Sequence, residues 1–281
     1  MRKSSVNNCG GKSTINPQED QNKRCDNSYS RGRIAVVGIG PGALEHITHK
    51  AKQEIETAEV IIGYETYVKL IQPIIKSNVE IISGKMGQEI ERAKIAVMKA
   101  LENKRVAVIS SGDPGIYGMA GLVLEAAERE KAKIQIEIVP GVTAASAAAA
   151  KLGAPLMGDF SVISLSDILI TWNLIEKRLR AAAEADFVIV LYNPQSRGRR
   201  GPLAKAHEIL LEYRSPNTPV GIVRKAGREG EETIITTLKE MLDYEVDMVT
   251  TIIIGNSTTN VINQRIVTSR GYDFVGKLSE D

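Results

Sequence analysis

"VVGIGPGALEH", residues 36–46, is an apolar run that ends in a glycine loop and gives way to a helical pattern. Gly38, Gly40 and Gly42 stand at alternate positions, with Pro41 between the last two. Read loosely, Gly38 to Ala43 match G-x-G-x-x-A, the turn that sets a dinucleotide pyrophosphate on a helix N-terminus. Glu65 follows "VIIGY" at about the 20-residue spacing of the acidic ribose ligand. Pro41 argues the other way. It lacks the N–H that a pyrophosphate cradle offers, and it stiffens the loop. The stretch predicts a strand–loop–helix unit opening an α/β domain and leaves open what the loop holds.

Outward from this unit the chain alternates strand-like and helix-like pieces. Leu44, Ile47, Ala51, Ile55 and Ala58 recur at helical spacing. "EVIIGY", "VEIIS", "RVAVISS" and "IQIEIV" read as strands, and "EIERAKIAVMKALEN" and "MAGLVLEAAERE" as helices. This alternation predicts a largely parallel sheet covered by helices. "PGVTAASAAAAKLGAP" then interrupts as a Gly/Pro-bounded helix with Thr143 as N-cap. Beyond it "FSVISL", "DFVIVLY", "PVGIVRKA", "ETIITTL" and "MVTTIIIGN" are strands, the last of them closing the fold. "LIEKRLRAAAEA" and "LAKAHEILLEY" are the helices among them. The expected architecture is two α/β domains, residues 33–145 and 155–264, joined by the alanine-rich helix. A polar leader, 1–32, and a tail, 265–281, flank them.

Composition narrows the function. Lys and Arg number 36 against 34 Asp and Glu, so the total charge gives no support to nucleic acid as a partner. No stretch reaches the roughly 20 apolar residues of a membrane span, and no secretory signal opens the chain. Cys9 and Cys25 lie in the leader at a spacing that fits no common zinc site. The chain reads as a soluble cytoplasmic protein without a structural disulfide. "CGGKST" in the leader looks like a P-loop, but Val6 stands where its first glycine belongs and no strand precedes it.

"SSGDPGIYG", residues 110–118, is the most unusual loop. It closes a buried strand, at the edge where open α/β sheets bind ligands. Gly112, Gly115 and Gly118 allow close backbone approach, Pro114 fixes the chain after Asp113, and Asp113 could meet a ribose or a cationic centre. D-P and P-G are also plain turn dipeptides. Three Gly/Pro loops, "GIGPG", "GDPG" and "VPGVTAA", closing three strands favour a binding edge over three unrelated turns.

Those loops, in that order, resemble the tetrapyrrole methylase family over about residues 33–264. The resemblance implies S-adenosylmethionine (S-adenosyl-L-methionine) as cofactor, two α/β domains with the active site in the cleft between them, and a homodimer. Within the family, "GYETYVKLI", "LYNPQSRGR" and "GIVRKAGREGEE" are similar to the enzymes that methylate C17 of precorrin-3B or cobalt-factor III in cobalamin biosynthesis, with associated ring contraction. A C11- or C20-methyltransferase of a corrin precursor is the alternative within the family. A nicotinamide-dinucleotide sensor is the alternative outside it.

The resemblance carries cofactor contacts to Pro41, Gly42, Gly112, Asp113, Ile116, Thr143, Ala144, Asn193, Ala226 and Asn256. The last three follow strand order more than shared residues. A corrin precursor carries several carboxylates, so cations at the cleft are expected. Arg197 and Arg224, each close behind a strand end, are the candidates; Arg199, Arg200, Lys225, Arg228 and Lys85 are weaker ones. The acid–base group for ring contraction is not identifiable. His46 and His49 read as a surface pair rather than metal ligands, His207 as a helix-surface residue, and Trp172 as core. Tyr117 and Tyr192, beside the loops, are either packing residues or proton donors.

Overall fold

The computed structural model describes residues 32–195 and 201–272. The first half builds one sheet from β1 (Arg33–Gly38), β2 (Val60–Tyr64), β3 (Glu80–Gly84), β4 (Arg105–Ser110) and β5 (Gln135–Val139). Its order is β3-β2-β4-β1-β5 and every pairing is parallel. The helices α1 (His49–Thr57), α2 (Glu65–Ile71), α3 (Glu89–Leu101) and α4 (Ala120–Arg129) make the crossovers.

Strand alternation sorts the core. Ile34, Val36, Val60, Ile62, Val106 and Val108 pack on α3 and α4. Their neighbours Ala35, Val37, Ile61, Ala107 and Ile109 pack on α1 and α2 from the other face. Both faces are covered, so the central strands β1, β2 and β4 are near-continuous apolar runs, as buried parallel strands require. The chain leaves β1 toward the β3 edge and leaves β4 toward the β5 edge. A switch point of this kind leaves a crevice at the carboxyl end of the strands.

The second half begins with α5 (Ala144–Leu152) and β6 (Gly153–Ala154). It continues through β7 (Phe160–Ser164), α6 (Trp172–Glu184), β8 (Val188–Tyr192), α7 (Gly201–Leu211), β9 (Pro219–Arg224), β10 (Glu232–Thr237) and β11 (Thr250–Ile254). The sheet order is β10-β9-β11-β8-β7. Only β7 and β8 pair in parallel; β8–β11, β11–β9 and β9–β10 are antiparallel. Helices α6 and α7 cover one face through Ile175, Leu179, Leu203 and Leu210. Helix α5 covers the other through Ala145, Ala148, Ala149 and Leu152. The alanine-rich helix is therefore part of the second core rather than a linker: its short side chains let it sit close to the sheet.

The chain does not end its fold with β11. Residues 259–268 form a hairpin of β12 (Thr259–Ile262) and β13 (Arg265–Thr268), and β13 pairs with β6. Ile266 is buried and Thr268 donates to Pro155 O at 2.7 Å, so residues 265–268 belong to the fold and not to a tail. Trp172 packs against the α6/α7 core, with Lys205 Nζ 5.2 Å from its ring centre. His207 is half-buried rather than on the surface, and its Nε2 has no hydrogen-bond partner. Among the described residues no helix is long and apolar enough to cross a membrane.

Candidate active site

Strands β4, β1 and β5 are neighbours, so the loops after them emerge side by side. Gly40 N–H donates to Gly112 O at 3.1 Å, and Gly112 N–H returns to Gly40 O at 2.8 Å. Asp113 ties in the third loop: its Oδ1 accepts from Gly115 N–H at 2.8 Å and its Oδ2 from Gly141 N–H at 3.1 Å. Gly112 holds φ +64°, a conformation other residues rarely adopt. A Cβ on Gly141 would lie 2.8 Å from Gly38 C and O and nearer still to Gly112 O. Three loops thus lock through glycines that touch backbone to backbone.

This lock answers the question raised by Pro41. A pyrophosphate needs free N–H groups. Here Pro41 has none, and the N–H groups of Gly40 and Gly112 are each donated to the other's carbonyl oxygen. The glycines at this edge offer a ligand close backbone approach rather than a phosphate cradle.

The second domain supplies the opposite wall of a cleft of about 140 Å³. Pro41, Gly112, Ala144, Asn193 and Ala226 of the expected residues line it, beside Tyr67, Ser111, Tyr192, Lys225, Arg228 and residues 248–251. The loops after β8 and β9 enter with strained backbones: Asn193 has φ +52° and Lys225 φ +53°. Non-glycine residues in this region cluster at functional sites.

Among the described residues three ties cross between the domains. Tyr117 OH donates to Val162 O at 3.1 Å and accepts from Ser164 N–H at 3.2 Å, so this phenol completes the edge strand β7. Thr143 and Tyr192 share a hydroxyl–hydroxyl bond of 2.6 Å, and the Tyr192 phenol oxygen accepts from Ala145 N–H at 2.7 Å. Thr143 stands at the N-cap of α5 but makes no side-chain cap bond; Tyr192 caps the helix instead. Burial pushes the Tyr192 phenol up, against its hydrogen bonds to Thr143 and Ala145. Arg228 makes the third tie, donating from Nε to Pro41 O at 2.6 Å and from Nη2 to Ser111 Oγ at 2.9 Å.

The remaining expected residues fall elsewhere. Gly42 lies under the Arg228 stem, where a Cβ would come within 2.5 Å of Cγ. Asp113 acts on backbone amides rather than on the cleft wall, and Ile116 is exposed in the same loop. Asn256 lies away from the cleft. Strand β11 runs antiparallel to β8 and β9, so its start, Thr250 and Thr251, reaches the cleft and its end faces away. Asn256 Nδ2 donates instead to Asp186 O, ahead of β8.

Arg224 is engaged by acids of its own domain: its guanidinium meets Asp247 at 3.1 Å, Glu232 at 3.1 Å and Glu245 at 3.4 Å. Lys85 is outside the cleft; its carbonyl accepts from Arg92 at 2.6 Å. Arg197, Arg199, Arg200 and the leader with its cysteines and "CGGKST" lie outside the described residues. His49 bonds Gln53 at 3.0 Å, and His46 lies 3.7 Å from Glu45. Sequence reading passed over Tyr67, Ser111, Thr250 and Thr251. Ser111 was signalled by its place in "SSGDPG"; no signal marked the threonines.

Comparison with known proteins places the chain by sequence and by fold. The family model "Tetrapyrrole (Corrin/Porphyrin) Methylases" matches residues 33–242. A Priestia megaterium protein named cobalt-factor III methyltransferase is 49% identical over 86% of the chain, which spans 45% of that relative's length. A Salmonella typhimurium protein named probable cobalt-factor III C(17)-methyltransferase is 49% identical over 85% of the chain and 99% of its own. The crystal structure of the methyltransferase CobJ superposes with a TM-score of 0.80 at 36% identity, covering 85% of this chain and 100% of that one. Matched over most of its length in sequence and in fold, the chain belongs to the tetrapyrrole methylase family.

Proposed function

We propose that the chain methylates C17 of a corrin precursor, precorrin-3B or cobalt-factor III, with associated ring contraction, in cobalamin biosynthesis. The observation that carries the reading is the cleft edge formed by the "GIGPG", "GDPG" and "PGV" loops, whose amides are spent on one another. Such an edge suits S-adenosylmethionine, which has no phosphate, and disfavours a nicotinamide dinucleotide. The cofactor supplies the methyl group. The names of both relatives support the cobalt-holding substrate as the natural one, and the Salmonella protein's name supports C17 as the position. A homodimer in the cytoplasm is the setting that the family resemblance supports.

The chain's own part is to hold two reactants in register. Positioning of this kind supplies much of the barrier lowering in a bimolecular reaction. Gly112, Ala144 and Ala226 let the nucleoside end approach the backbone, while Pro41 keeps its loop stiff. The Thr143–Tyr192 and Tyr117–β7 ties hold the second wall at a fixed distance from the first. Calorimetry tests the reading. S-adenosylhomocysteine should bind with micromolar or better affinity, and NAD and NADP should give no heat. The reverse pattern would overturn it.

A further inference from the structure

Arg228 is a cation set between the two domains without an acid to neutralise it. None of the described carboxylates lies within 4.0 Å of its guanidinium, whereas Arg224, four residues earlier, meets three. Its two acceptors, Pro41 O and Ser111 Oγ, are neutral. Burial disfavours its charged form, opposed only by the nearby Tyr67 phenol. The placement is built. Gly42 and Gly227 are both glycines where side chains would collide, with the Arg228 stem and with Pro41 respectively. Glu231 fixes the turn below by accepting from Gly227 N–H at 2.6 Å while pairing with Lys151 at 2.9 Å.

Two of the five guanidinium N–H groups are used, and the residue lines the cleft. A half-buried guanidinium with unused N–H groups and neutral acceptors alone is suited to receive a carboxylate. We propose that Arg228 is a carboxylate-binding residue of the cleft, its three remaining N–H groups receiving a carboxylate of a bound ligand while Pro41 and Ser111 hold the fork in place. Lys225 lines the same cleft, but a point charge does not match a carboxylate as a planar fork does. The inference rests on the proposed function, in which both occupants carry carboxylates: the amino-acid end of the cofactor and the side chains of the tetrapyrrole.

Two variants, Arg228→Met and Arg228→Lys, separate the sources. Calorimetry would use S-adenosylhomocysteine and 5′-methylthioadenosine, which keeps the nucleoside thioether and lacks the carboxylate. If the cofactor supplies the anion, S-adenosylhomocysteine binds about ten- to a hundredfold more weakly, and methylthioadenosine is unchanged. If the tetrapyrrole supplies it, both nucleosides bind as before and KM for cobalt-factor III rises by a similar factor. Arg228→Lys, which keeps the charge, covers the case in which the methionine variant does not fold. It loses the fork and should lie between the other two. The proposal is overturned if a folded variant, by its melting curve, keeps both S-adenosylhomocysteine affinity and substrate KM within twofold of wild type. A wild-type protein that binds no S-adenosylhomocysteine would refute the cofactor reading instead.

Discussion

Replacing Gly141 by alanine tests the loop lock at its tightest point. The added Cβ would sit 2.8 Å from two atoms of Gly38 and closer still to Gly112 O, all of them backbone. A flexible side chain could swing aside; these atoms cannot, because Gly112 O already accepts from Gly40 N–H. Relief requires the third loop to back away from the other two. Overpacking of this kind costs about 1–3 kcal/mol. The retreat also breaks the Gly141 N–H to Asp113 bond, a hydrogen bond to a charged acceptor worth about 1.5 kcal/mol at the low end suited to a half-exposed site. Together they come to about 3 kcal/mol, or roughly a hundredfold in an equilibrium constant. If the cofactor binds only the locked arrangement, S-adenosylhomocysteine affinity measured by calorimetry should fall by about that factor. The melting temperature should fall as well, by about 2–4 °C per kcal/mol retained in the folded state. Gly121→Ala is the control. Its Cβ meets nothing within 4 Å on the exposed side of α4, so stability should rise by about 0.5–1 kcal/mol with affinity unchanged. A Gly141→Ala protein with wild-type affinity and wild-type melting temperature would refute the reasoning.

Three further outcomes follow from the geometry. Arg224→Met should lower stability by about 1 kcal/mol in urea titration, because partly exposed pairs are weak, and should leave substrate KM within twofold; a tenfold rise in KM would return Arg224 to the substrate. Asn256→Ala should destabilise by about 1–2 kcal/mol, since the side chain joins the 256–259 turn to Asp186, without changing S-adenosylhomocysteine affinity. Glu54 titrates below its ordinary value: burial pushes it up, but Lys50 at 2.7 Å and Arg33 at 2.8 Å outweigh this. Its contribution is therefore complete above the ordinary carboxylate range and disappears as pH falls through the depressed folded value. Glu54→Gln should flatten the acid side of the stability–pH curve, and an unchanged acid limb would show that the cluster does not contribute.

The first domain was legible because each of its signals is local. Apolar runs, helical spacing and the three Gly/Pro loops lie within short windows, and right-handed parallel crossovers then bring the loops to one edge. Strand direction in the second domain was not legible. "TTIII" reads the same whichever way it runs, so Asn256 was placed by strand order at the wrong end of β11. The ion pairs of Arg224 were not legible for a related reason. Its three acids come from β10 and from the segment before β11, 8 to 23 residues away, and only antiparallel pairing brings them together. The terminal hairpin turns at Asn263 and Gln264, both with positive φ, where the usual glycine signal is missing. The cleft side chains from residues 248–251 lack any signature because they act by position at the start of a strand.

The central claim is the position of methylation. The purified protein should be incubated with cobalt-factor III, and separately with precorrin-3B, together with S-adenosylmethionine carrying a carbon-13 methyl group. The label is then located by NMR of the product. The account predicts label at C17. Label at C11 or C20, or no incorporation from either substrate by a protein that binds S-adenosylhomocysteine, would contradict it.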